Sequence, residues 1–463
     1  MFDFSLCLSH TAFVTSKNEV YKYGDISSLS SELGQYLHPH SLVFILCSNT
    51  IGSIIGYVSS LQMSTVPLLL SKEIDKTLLK NLLNKYSPRY MWIPNEMICD
   101  FSNHEVLFSS HEYSLLKLEE NIISLPTNLA LLLTTSGSTG SPKLVRLSKE
   151  NIIDNAKSIA QYLNINQKER AITSLPMHYS YGLSVINSHL VSAATVLLTE
   201  YSYIQREFWD FAVEQKATSF SGVPFTYEIL KKMRFWNRNL PSLKTLTQAG
   251  GKLNNELIEY FAQNARLRGI DFYVMYGQTE ATARMSYLPC QYTIEKLGSI
   301  GKAIPGGEFE IRNDSIISDV DTIGELVYKG KNVSLGYAEC LDDLMRGDDN
   351  KGVLYTGDLA YRDKDGFYYI AGRKKRFLKL YGNRISLDYT ESLLNQQFGN
   401  TFVCVGTDNK MIIYTIDSKI EEEIIPFLVN ILKLNKTAFE TRYIKSIPHS
   451  ESGKILYSEL PNE

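Results

Sequence analysis

Little in this chain of 463 residues points to a metal scaffold or a disulfide framework. The six cysteines, Cys7, Cys47, Cys99, Cys290, Cys340 and Cys404, are scattered, with no CxxC pair and no Cys/His cluster at zinc-ligand spacing. Buried free thiols are expected. Charge of one sign is missing as well. Forty-seven Lys+Arg against 50 Asp+Glu leave a formal charge of −3, which argues against nucleic-acid binding through bulk charge and leaves only a local basic patch open. Proline is sparse at 14 and glycine ordinary at 28, with 44% apolar and 21% charged residues, so collagen-like and disordered readings fall away. There is no internal repeat and no low-complexity tract. The N-terminus, Met-Phe-Asp-Phe-Ser-Leu, has an acid where a secretory signal carries positive charge, so a cytoplasmic protein is expected.

One stretch does lack charge altogether. Ser41 to Leu70 is longer than the ~20 apolar residues that span a bilayer. Asn49, Thr50, Gly52, Gly56, Gln62, Thr65 and Pro67 break it into Leu42 to Cys47, a middle piece and Val66 to Leu70. That punctuation predicts buried strand, helix and buried strand, not stable membrane insertion. The alternation of such strands with helical patterns continues to about residue 280, as in α/β layers. Ala130 to Thr135 and Val191 to Thr199 read as strands, Ser148 as the cap of a helix, and Asn255 to Arg266 as a helix followed by the strand Phe272 to Met275. After Gly298 the pattern turns mainly β, with strands at Gly324 to Tyr328 and Gly366 to Ile370. Beyond the basic run Arg373 to Arg376 comes a compact α+β pattern, with strands at Phe402 to Val405 and Met411 to Ile416 and a helix at Glu421 to Lys433. A boundary is expected near Lys375.

The most informative segment is Leu131-Leu-Leu-Thr-Thr-Ser-Gly-Ser-Thr-Gly-Ser-Pro-Lys143, a strand running into a loop of glycines, hydroxyls and a lysine. Glycines let backbone N–H groups turn onto phosphate oxygens, hydroxyls add donors and lysine adds charge. It is no Walker A loop, because Gly140 is followed by Ser141-Pro142, and the kinase HRD/DFG set is absent too. Taken alone, such a loop is equally a flexible connection. Tyr276-Gly-Gln-Thr-Glu280 follows a strand and sets an aromatic face, a hydroxyl and a carboxylate on one turn, groups suited to a nucleotide and Mg²⁺. Tyr355-Thr-Gly-Asp-Leu359 and Gly372-Arg373 add a carboxylate and a guanidinium, and Ser452-Gly-Lys454 places a lysine near the C-terminus.

With these motifs in this order, and with Gly324-Glu-Leu, Gly336-Tyr337 and Gly372-Arg-Lys-Lys-Arg-Phe-Leu-Lys-Leu-Tyr-Gly382, nearly the whole chain resembles the adenylate-forming superfamily of acyl-CoA synthetases, peptide adenylation domains and beetle luciferases. The resemblance implies an α/β fold. A large N-terminal AMP-binding domain, 1–374, would hold two layered α/β sheets and a β subdomain, and a small mobile α+β domain, 375–463, would follow. It implies ATP-dependent activation of a carboxylic acid to an acyl-adenylate, release of pyrophosphate, and acyl transfer to the thiol of CoA or of an acyl carrier protein. The alternative is a nucleotide-binding interaction protein that keeps the fold and lacks turnover.

Residue by residue, the resemblance assigns Thr135, Ser136, Gly137, Ser138, Thr139, Gly140 and Lys143 to the ATP phosphates, and Glu280, beside Thr279, to Mg²⁺. Tyr276, Gly277 and Gln278 would flank adenine with Ala249, Gly250 and Gly251, and Asp358 and Arg373 would grip the ribose. Lys454 matches the adenylation lysine, although Tyr457 stands where the family commonly has a basic residue. Lys375 matches the interdomain hinge, and Lys379, Gly382 and Arg384 the loop that serves thioester formation. In Pro176 to Ser184, Tyr179 falls at the gate of the thiol tunnel, with His178 beside it. Gly182 replaces the aspartate that pairs with an α-ammonium in amino-acid-activating members. A buried ammonium without a counter-charge is costly, so a non-amino acid is expected.

Overall fold

The computed structural model describes residues 2, 4–118, 124–134, 143–313, 315–317, 319–374, 376–381, 383–450 and 455–461. They form two compact units: Met1–Glu308 with Lys329–Leu354, and Phe309–Tyr328 with Tyr355–Glu463.

In the first unit the charge-free stretch folds as strand, helix and strand: β1 (Leu42–Cys47), α1 (Ile51–Gln62) and β2 (Val66–Ser71). Helix α1 is buried from Ile51 to Leu61, which is why it shows no polar stripe. No helix among the described residues is long and apolar enough to cross a membrane. The chain continues through β3 (Leu129–Thr134), β4 (Leu144–Ser148) and α2 (Lys149–Tyr162). Ser148 caps α2 reciprocally: its Oγ accepts from Asn151 N at 3.1 Å, and Asn151 Oδ1 accepts from Ser148 N at 2.8 Å. Such a cap stabilises by ~1 kcal/mol. There follow α3 (Ser180–Leu190), β5 (Ser219–Gly222), β6 (Thr245–Gln248), α4 (Asn255–Arg266), β7 (Asp271–Tyr276), β8 (Ser286–Leu288) and β9 (Gly336–Ala338).

One sheet runs β9-β4-β3-β2-β1, parallel from β1 through β2 to β3 and antiparallel at β4 and β9. Phe44, Leu68 and Leu132 on its strands are solvent-free. Each such side chain contributes ~1.5–3 kcal/mol over exposure. The other sheet holds β5, β6 and β7 in parallel and β8 antiparallel to β7.

Two expectations are corrected. The strand read at Val191 to Thr199 spans only Thr195–Leu198, because Val191 caps α3 and Ala193 turns the chain at φ 53°. The thiols are free, but only Cys7, Cys47 and Cys404 are buried; Cys99 and Cys340 are exposed and Cys290 is half-buried.

The second unit opens on a sheet in which β10 (Val353–Arg362) and β11 (Tyr368–Arg373) pair antiparallel. After it come α5 (Leu387–Phe398), β12 (Phe402–Thr407), β13 (Lys410–Thr415), α6 (Glu421–Leu432) and β14 (Phe439–Tyr443). The three strands form one sheet, with Leu394, Cys404, Ile413 and Leu428 in a core of their own.

Candidate active site

Gln248 of β6 stands opposite Val274 of β7 in parallel register. Ala249–Gly251 and Tyr276–Glu280 therefore leave neighbouring strands at the same carboxyl edge, where open α/β sheets bind ligands. Buried Gln248 shapes the first segment, its Nε2 donating to Gly251 O at 2.9 Å. Gly250 is left-handed at φ +87°, and a Cβ there would stand 2.6 Å from Tyr179 Oη. Only glycine meets both demands. In the second segment Gln278 Nε2 donates to Tyr276 Oη at 3.2 Å, and the Thr279 and Ser180 hydroxyls are 3.1 Å apart.

Glu280 is half-buried, and its Oε1 accepts from Tyr337 Oη at 2.7 Å. Burial, and then the Glu280 charge, push the Tyr337 phenol well up, so it remains a donor at neutral pH. Lys143 is bound by Glu339, Nζ to Oε1 at 2.6 Å, and lies 5.8 Å from the Tyr337 ring centre. Glu280 has no ion-pair partner among the described residues, nor do these contain a cluster of three His, Cys, Asp or Glu groups fit to hold a metal. One carboxylate suits Mg²⁺, which keeps waters and substrate phosphates as its other ligands.

The turn after Glu280 is strained. Thr282 and Ala283 have φ of 59° and 107°, costing ~1–3 kcal/mol each. Surrounding amides hold it: Asn332 Nδ2 donates to Ala281 O at 2.8 Å, Asn155 Nδ2 to Arg284 O at 2.8 Å, and Thr282 Oγ1 to Asn332 O at 2.7 Å. The segment carrying Tyr337 is stapled by Arg146 of β4, whose side chain is wholly buried. Its guanidinium donates to the carbonyls of Leu335, Tyr337, Arg346 and Gly347 and meets Asp349 Oδ2 at 2.6 Å. Sequence reasoning missed these supports, although a lone arginine in the apolar run Leu144-Val-Arg-Leu was a readable signal for Arg146.

Tyr179 precedes α3 and is buried against Tyr181, ring centres 6.3 Å apart. His178 beside it is half-buried, and burial pushes its imidazole down to about 4. At Gly182 a Cβ would sit 2.3 Å from Pro176 O, so the backbone itself leaves no room for an aspartate.

Within the second unit, Asp358 and Arg373 face each other across β10 and β11, Oδ1 to Nε at 3.2 Å. The basic run is largely consumed by local pairs, since Lys374 Nζ meets Glu325 at 2.7 Å and Arg376 binds Glu391 and Asp388. Arg376 also lies 4.7 Å from the Tyr457 ring centre, so the departure at Tyr457 serves as a cation–π contact. Lys379 and Arg384 are cross-strand partners in a hairpin, Phe377–Leu380 with Asn383–Ser386, which turns at Tyr381 with φ 49°. Thr135, Ser136, Gly137, Ser138, Thr139, Gly140, Lys375, Gly382 and Lys454 lie outside the described residues.

Residues 7–338 match the family described as AMP-binding enzyme. The 2-succinylbenzoate–CoA ligase of Bacillus cereus (strain Q1) is 28% identical over 340 residues, 70% of this chain and 68% of that protein. The structure of O-succinylbenzoate coenzyme A synthetase from Bacillus subtilis in complex with AMP superposes with a TM-score of 0.80 at 20% identity, covering 99% of this chain and 97% of that one. The complex of that synthetase with ATP and magnesium ion gives 0.75 at 20% identity, covering 97% and 96%. The carboxyl-edge arrangement thus stands on the fold of that synthetase, and the chain belongs to the AMP-binding enzymes, the adenylate-forming superfamily, as one of the acyl-CoA synthetase type.

Proposed function

We infer that the chain activates a non-amino carboxylic acid with ATP and Mg²⁺, then passes the acyl group to the thiol of CoA. The observation that carries this reading is the convergence of Ala249–Gly251 and Tyr276–Glu280 at one carboxyl edge, with Tyr337 orienting the Glu280 carboxylate. A carboxylate is a poor electrophile because oxide is a poor leaving group. In the first step its oxygen attacks the α-phosphorus, the bond to the bridging oxygen of the β-phosphate breaks, and pyrophosphate leaves. In the second, a thiolate sulfur attacks the adenylate carbonyl and AMP departs.

Bound Mg²⁺ would neutralise charge on the phosphates. Glu280 is the residue to hold it, Thr279 lies beside it, and Lys143 with Thr135 to Gly140 receives the β- and γ-phosphates. Tyr276, Gly277 and Gln278 with Ala249 to Gly251 flank the adenine, while Asp358 and Arg373 take the ribose hydroxyls. Lys454 bridges the acid carboxylate and the α-phosphate as charge develops there. Residues 1–374 act as the AMP-binding part and 375–463 as the mobile part. Lys375 is the hinge, and the hairpin bearing Lys379, Gly382 and Arg384 serves the thioester step. Tyr179 gates the thiol, with His178 beside it. The lack of room at Gly182 supports a non-amino acid.

Relatives named for 2-succinylbenzoate and CoA make these the first acid and thiol to try, with a carrier-protein thiol second. The proposed compartment is the cytoplasm, in keeping with free thiols at exposed Cys99 and Cys340. The test is pyrophosphate release across a panel of carboxylic acids, with hydroxylamine trapping the adenylate and Lys454→Ala as control. A signal confined to amino acids, or one that persists in the variant, contradicts the reading.

A further inference from the structure

Strands β4 and β9 pair antiparallel, with Tyr337 opposite Val145 and Ala338 opposite Leu144. One step further along that register Glu339 stands opposite Lys143, and the two close to 2.6 Å between Nζ and Oε1. Tyr337 and Glu339 are two residues apart and both reach Lys143, so they share one face. Between them they separate two charges. The Tyr337 hydroxyl binds the Glu280 carboxylate at 2.7 Å, whereas the Lys143 ammonium lies 5.8 Å from the ring centre of the same tyrosine and takes Glu339 as its counter-ion.

The backbone at Glu339 is pinned, since Asp343 Oδ2 accepts from Glu339 N at 2.7 Å and from Cys340 N at 3.2 Å. The Lys143 and Glu339 side chains themselves are 54% and 58% exposed. An exposed pair of this kind shifts an equilibrium only about two- to fivefold, so the lysine can change partners at little cost. Arg146, on the same strand, is the opposite case: its guanidinium is wholly buried and committed to four carbonyls and Asp349.

We propose that Glu339 is a positioning residue that takes Lys143 whenever β- and γ-phosphates are absent, and thereby competes with pyrophosphate for that lysine. The proposal rests on the acid-activating reading above, in which Lys143 receives those phosphates. Binding of ATP draws Nζ off Glu339. Once the bond from the α-phosphorus to its bridging oxygen has broken, the return of Nζ to Glu339 weakens the hold on pyrophosphate. AMP keeps only the α-phosphate and is indifferent to the pair.

The experiment is titration calorimetry of wild type, Glu339→Gln, Lys143→Met and the double variant with MgATP, magnesium pyrophosphate and AMP, with melting temperatures to establish folding. Glu339→Gln binds MgATP and magnesium pyrophosphate about two- to fivefold tighter than wild type and binds AMP equally well, because the ammonium no longer has a carboxylate to leave. Lys143→Met weakens binding of both polyphosphates, and in that background the gain from Glu339→Gln shrinks toward one, as expected of coupled groups. No gain in Glu339→Gln overturns the proposal. So does a gain that persists undiminished in the Lys143→Met background, which marks plain repulsion between Glu339 and phosphate, or an equal gain for AMP, which marks a general change of structure. The reading beneath it fails separately: a wild type that binds no MgATP, or a Lys143→Met that binds it as tightly as wild type, removes the phosphate role of Lys143 and the proposal with it. Weakened binding in Lys143→Met beside an unchanged Glu339→Gln refutes the proposal alone.

Discussion

Arg146 offers a direct test of what holds the Glu280 carboxylate and its Tyr337 partner in place. Arg146→Met keeps much of the side chain's length while removing every donor that binds the carbonyls of Leu335, Tyr337, Arg346 and Gly347 and the carboxylate of Asp349. Breaking one side of a buried pair costs about 3–5 kcal/mol, and some of the orphaned carbonyls regain partners from water. For a unit of this size the melting temperature should fall on the order of 5–10 °C. Asp349→Asn should cost less, because the four carbonyl bonds survive. The double variant should be less harmful than the sum of the two by more than ~0.5 kcal/mol, as expected of touching groups. The segment that loosens includes strand β9 with Tyr337, so KM for MgATP should rise in Arg146→Met beyond what the stability loss explains. Calorimetric unfolding and steady-state kinetics give both numbers. An Arg146→Met protein that melts within 1 °C of wild type would show that the guanidinium is not the staple.

Tyr337→Phe removes the bond to Glu280 from a half-exposed site and should raise KM for MgATP several-fold, for ~1 kcal/mol of binding, with the melting temperature nearly unchanged. Gly182→Ala already drives a Cβ to 2.3 Å from Pro176 O and should destabilise by ~1–3 kcal/mol; circular dichroism melts matching wild type would contradict that clash. His189 titrates near 4 when folded and near 6.5 when unfolded, so the unfolded chain binds the extra proton first as pH falls. The resulting stability is intact above about 6.5 and lost toward about 4, on the order of 3 kcal/mol, and His189→Asn should flatten that slope in denaturant titrations. Lys375→Pro should slow thioester formation more than adenylation, and equal losses in single-turnover assays would refute the hinge.

The strand–helix–strand reading of Ser41 to Leu70 held because its breaks are local: the polar residues Ser48 to Thr50 and Ser64 to Thr65 interrupt the apolar run whatever the rest of the chain does, whereas Gly52, Gly56 and Pro67 fall inside the elements. The cap at Ser148 and the limits of the helix Asn255–Arg266 were legible for the same reason. At Val191 to Ala194 the reading failed, because apolar residues at a buried helix end look like a strand until the helix beside them is known. The buried-thiol expectation failed at Cys99 and Cys340, since cysteine composition says nothing of which surface a residue occupies.

What the sequence by itself determined was the order of chemistry-bearing motifs and the α/β layering, because both rest on neighbours in the chain. Glycine, hydroxyl and carboxylate spacing survives in one dimension. Only the tertiary structure decided that Tyr337 reaches Glu280, that Asn332 and Asn155 hold its strained turn, and that Arg284 and His189 face one small cavity. These pairs are distant in sequence or lie on different elements. Strand register and helix packing bring them within hydrogen-bonding range, and no local propensity encodes that distance.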